Sequence, residues 1–151
     1  METKEATVEI LNDLILINND RIEGYDKALK ELTEEDTDLK PLFIKYIKQS
    51  HQCKMELGTE VEVLGSDIKS GTSNGGSIHR AWMDIKAIFT GHDRKAILSN
   101  CESGEDAVQV AYKSALEDEH LPAFLREIVT HQKDLLRIAH NEVKSLRDSA
   151  A

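Results

Sequence analysis

Four stretches of this chain repeat apolar residues at the 3.6-residue interval of an amphipathic α-helix. Residues 5–32 align Val8, Leu11, Ile15, Ile22, Tyr25, Leu29 and Leu32, and residues 39–64 align Leu39, Phe43, Tyr46, Ile47, Leu57, Val61 and Leu64. Residues 94–118 carry Ile97, Cys101, Val108 and Tyr112, and residues 122–147 carry Val129, Leu135 and Ala139. A helix with one apolar stripe must bury it against another element, so four of them predict an all-α bundle.

The connections set the topology. TEEDTD leads into helix two, with Asp38 as the expected N-cap and Pro41 tolerated in the first turn; Gly65 ends it. The HLP turn between helices three and four is equally short, so each pair is expected to be antiparallel. The middle connection, 65–92, is different. It opens with GSDIKSGTSNGGS and then carries a short amphipathic helix over about 78–89, with Ile78, Trp82, Ile85 and Phe89 on one side. Each long helix measures roughly 40 Å at 1.5 Å per residue, and a link of this length can travel that distance. The expected fold is a ferritin-like four-helix bundle: two antiparallel pairs joined by a long crossover, with the Trp82 helix packed on the bundle.

A chain of 151 residues suits one domain, taken as 1–151. Its net charge of −9 disfavours nucleic acid and anionic membranes, both of which call for a basic face. Two cysteines, Cys53 and Cys101, make neither a disulfide framework nor a paired zinc motif. METKEATVEIL lacks the basic-then-apolar pattern of a secretory signal, so a cytoplasmic location is expected.

Polar residues interrupt each stripe near its midpoint: Asn18 on helix one, Ser50 and Cys53 on helix two, Glu105 on helix three, Gln132 on helix four. In helices of similar length these positions form one central polar layer. Ferritin-like di-iron proteins place their metal at this depth, using a Glu from each of two helices and Glu-x-x-His from the others. Helix two here reads Ser50-x-x-Cys53 and helix four Gln132-x-x-Leu135, so most of the required anionic charge is missing. The layer is read as a hydrogen-bonded core in which the Asn18 and Gln132 amides donate to Glu105. If one altered metal site exists, its candidate ligands are Glu105, Glu102, Glu23 and His51.

The histidines are not arranged as a ligand set. His51, His131 and His140 fall off the stripe centres, His79, His92 and His120 fall in or beside connections, and each is read as an isolated surface or boundary residue. Cys53 and Cys101 sit on apolar stripes and are expected to be buried and inert. No nucleophile elbow, phosphate loop or dinucleotide fingerprint occurs.

LNDLILINNDRIEGYDKAL, HRAWMDIKAIFTG, CESGEDAVQVAYKSAL and EVKSLRD together resemble a family of small bacterial ferritin-like four-helix-bundle proteins over nearly the whole chain. The resemblance implies the fold far more than any activity. A more distant similarity is to bacterioferritin and rubrerythrin-like bundles, through the spacing of Leu11, Asn12, Ile22 and Tyr25. There the resemblance implies a metal-binding Glu at the place of Asn18, with only Glu105 matching a further ligand.

The resulting expectation is a non-catalytic bundle without a cofactor, in a stress-associated or interaction role. A metal-binding or oxidoreductase protein with a reduced, altered iron or manganese site around Glu105 is the first alternative, and a scaffold binding a protein partner or a second copy of itself is the other.

Overall fold

The computed structural model describes residues 3–71, Trp82 and residues 94–150. Four long helices account for most of them: α1 (Thr3–Glu31), α2 (Leu39–Val63), α3 (Arg94–Glu117) and α4 (Ala123–Ser149), with a 3-10 turn at Glu34–Asp36. The fold class is the all-α four-helix bundle that the four apolar stripes predict. The short crossover helix expected over 78–89 lies outside the described residues, apart from Trp82, which is helical and fully buried.

Helix α2 ends where expected, in a Schellman motif. Gly65 adopts φ 78°, its N–H bonds Glu62 O, and the Ser66 N–H reaches back to Val61 O. The other end departs from expectation. Asp38 precedes the helix with helical backbone angles already (φ −66°, ψ −24°) and makes no side-chain cap. Its carboxylate instead receives both terminal nitrogens of Arg94, at 2.8 and 2.7 Å.

Cross-helix contacts give the directions. Thr7, Asn18 and Arg21 of α1 meet His120, Tyr112 and Glu105 in that order, so α1 and α3 are antiparallel. Tyr46 meets Glu142 and Cys53 meets Gln132, so α2 and α4 are antiparallel too. With α1–α2 and α3–α4 as the tightly packed pairs, α2 and α3 run the same way on opposite corners. The end of α2 lies near Lys4, and Arg94 lies at Asp36 and Asp38, so the crossover's two ends sit at opposite ends of the bundle.

The start of the crossover is clasped to α1. The Asn12 amide donates to Asp67 O and accepts from the Lys69 N–H, and Asn19 Nδ2 donates to Gly71 O. Further along α1, the Trp82 indole lies between Gly24 of α1 and Gly104 of α3, 5.2 Å from the Tyr25 ring. Both glycines are required there: a Cβ at either would come within 2.2 or 2.5 Å of the indole. Among the described residues, no helix is long and apolar enough to cross a membrane.

Candidate functional site

The five residues of the expected polar layer, Asn18, Ser50, Cys53, Glu105 and Gln132, are all buried. Their bonding differs from expectation, because a sixth residue dominates the centre. Arg21, fully buried on α1, donates Nε to Glu105 Oε1 at 2.5 Å and Nη2 to Glu105 Oε2 at 3.2 Å. Nη1 donates to Tyr46 O at 2.8 Å and Ser50 Oγ at 2.9 Å, and Nη2 also reaches Gln49 Oε1 at 3.4 Å. A guanidinium carries five N–H donors, and each has an acceptor here. The Tyr25 and Tyr46 rings flank the cation, with centroids 5.2 and 5.4 Å from Cζ. Burial alone would weaken this cation, but the adjacent Glu105 carboxylate holds it protonated above its ordinary range.

The amides do not donate to Glu105. Asn18 Nδ2 donates to Leu14 O and to the Tyr112 hydroxyl, which donates in turn to Gln132 Oε1 at 2.8 Å. Gln132 Nε2 then donates to Cys53 O and Glu56 Oε1. Two networks therefore share the layer, one ionic around Arg21 and one of hydroxyl and amide groups around Tyr112 that ends on the Glu56 carboxylate. The physical reason is reach: a buried carboxylate gains more from a bidentate guanidinium than from two neutral amides.

Arg21 was hidden from the pattern because it lies about a quarter turn from the stripe centre at 100° per residue. The buried face of α1 is wider than a stripe: Leu14, Ile17, Asp20, Arg21, Gly24 and Ala28 are buried too. Helix α1 is covered by α2, α3 and the crossover together. One signal was available. Arg21 has Ile17, Asn18, Gly24 and Tyr25 at its i±3 and i±4 positions, so it has no charged neighbour on its own helix face. Tyr112 lies on the apolar stripe of α3, yet its hydroxyl joins α1 to α4.

The candidate metal ligands do not converge. Glu105 is committed to Arg21. Glu23 is half-buried and pairs with Lys27; His51 is exposed, and both border a groove of about 720 Å³ between α1, α2 and the crossover. Glu102 lies on the α3–α4 flank, where Arg147 Nη1 donates to its Oε2. There His140 proves not to be isolated: its Nε2 is 2.5 Å from Asp106 Oδ1 and 4.0 Å from Glu102 Oε1. The off-stripe position of His140 on α4 faces α3, which a single-helix projection does not reveal. Among the described residues, Glu102, Asp106 and His140 are the one set of three or more potential ligands whose donor atoms converge.

The thiols are buried. Burial pushes Cys53 up to about 11 and Cys101 higher still, so both are neutral near pH 7. Tyr25 and Tyr112 are likewise raised by burial.

The chain belongs to the family described as a domain of unknown function (DUF2383), which matches residues 6–118. No curated protein matches it. The match covers α1 to α3, including Arg21, Ser50 and Glu105, whereas Gln132, His140 and Arg147 lie beyond it on α4.

Proposed function

We propose that this DUF2383 member is a non-catalytic, ferritin-like bundle whose centre holds the Arg21 guanidinium where ferritin-like oxidases hold metal. One observation carries the reading: both oxygens of Glu105, the layer's one fully buried carboxylate, are taken by Arg21. Ferritin-like di-iron sites draw on carboxylates from all four helices and imidazoles from two. The donor set here is a hydroxyl, a thiol, two amides and one carboxylate already paired with a cation. A divalent ion beside Arg21 would be repelled by it, and it would have to displace a bidentate ion pair. The polar layer then sets helix register, leaving the protein's role to its surface as a structural or interaction protein.

Aerobic oxidation of iron(II) tests this directly. The protein should oxidise iron(II) no faster than buffer alone. Saturable oxidation that disappears in Glu105→Gln would overturn the reading.

A further inference from the structure

The α3–α4 flank carries polar groups that the central networks leave unused. Glu102 and Asp106 are one turn apart on α3, so their carboxylates share a face, and His140 of α4 faces both. One donor atom from each of the three lies within 4.8 Å of the other two. We propose that Glu102, Asp106 and His140 bind one divalent transition-metal ion of the class that imidazole accepts, with zinc as the reference ion. The site is separate from the core and goes beyond the reading above.

Two residues outside the triad point the same way. Asn141 Oδ1 lies 3.1 Å from His140 Nδ1, within hydrogen-bonding distance of the ring. The tautomer that donates from Nδ1 to this oxygen leaves Nε2, on the side of the two carboxylates, as the ligating nitrogen. Without an ion a proton bridges Nε2 and Asp106 Oδ1, 2.5 Å apart, and a metal ion would take that proton's place. Arg147 meanwhile occupies Glu102 Oε2, which leaves Oε1, the oxygen nearer the ring, free to ligate. Contacts of this kind hold metal ligands in their binding orientation. The imidazole is only 16% exposed, so the ring is held between the helices rather than free to turn outward. One nitrogen and two oxygens leave room for water to complete a tetrahedral shell.

The test uses the full chain, stripped with a chelator and titrated with zinc against a chromophoric competitor. Cobalt(II) substitution reports the geometry through its visible absorption. One ion per chain is expected, with affinity falling about tenfold or more in His140→Ala and Asp106→Asn. His131→Ala should bind as the parent does, and circular dichroism checks that every variant is folded. Absence of zinc uptake, or full uptake by His140→Ala, overturns the proposal; a proton shared by His140 and Asp106 would then fill the gap. Metal lost in folded Glu105→Gln but kept in His140→Ala would place the ion in the core, overturning this site and the non-catalytic reading together. Loss in His140→Ala with retention in Glu105→Gln supports the flank site and leaves that reading standing.

Discussion

Replacing Glu105 with glutamine removes the one carboxylate that, among the described residues, is seen to pair with a fully buried guanidinium. The amide keeps one acceptor oxygen, so one of the two contacts to Arg21 can persist, but the second meets an NH₂ group that itself donates. Breaking a buried ion pair on one side costs about 3–5 kcal/mol, and the retained hydrogen bond, worth about 1 kcal/mol, puts Glu105→Gln near the lower end, about 3 kcal/mol. At about 2–4 °C per kcal/mol for a chain of this size, the melting temperature should fall by about 6–12 °C. Arg21→Met should cost at least as much, because it strands Glu105, Tyr46 O, Ser50 Oγ and Gln49 Oε1 together. In Arg21→Met/Glu105→Gln the unmatched charge disappears, and the loss should fall short of the summed single losses by about 2 kcal/mol or more. Urea denaturation of the four proteins measures the cycle. A Glu105→Gln loss below about 1 kcal/mol, or simple additivity, would refute a desolvated ion pair at the centre.

Alkaline pH should destabilise the fold. Burial raises Cys53 from 9.0 to about 11, so its contribution is complete below about pH 9 and is lost as pH rises through 11. The raised Cys101, Tyr25 and Tyr112 add to the loss in the same direction. Urea midpoints should hold steady from pH 7 to 8.5 and fall above 9, less steeply in Cys53→Ala; a flat profile to pH 11 would contradict the burial. Gly24→Ala places a methyl 2.2 Å from the indole of the only tryptophan. Overpacking of about 1–3 kcal/mol should outweigh the helix propensity gained, about 1 kcal/mol, and Trp82 emission should shift to the red. Unchanged emission would mean that the indole does not rest on Gly24.

Much of the fold is legible in residue spacing. The stripes running through Leu11, Phe43, Val108 and Val129 identify four helices, and the unequal connections separate two tight pairs from one long crossover. Local punctuation is legible where it is intrinsic to the backbone, as at Gly65, whose positive φ closes α2. Asp38 shows the limit. Its side chain suits an N-cap, but Arg94, 56 residues away in sequence, binds it more strongly than the helix end does. Trp82 reads as one side of a short amphipathic helix, while the slot that receives it exists only because Gly24 and Gly104 come together.

The same division runs through the candidate sites. A period of 3.6 residues assigns each side chain an angle on its own helix, and that places Asn18, Ser50, Glu105 and Gln132 near the bundle axis without tertiary information. It carries no record of how far each helix is rotated or slid against its neighbours. Those two quantities bring Arg21 onto Glu105, join Asn18 to Gln132 through Tyr112, and set His140 against Asp106. Side-chain identity made a polar centre unavoidable; interhelical packing made that centre a salt bridge.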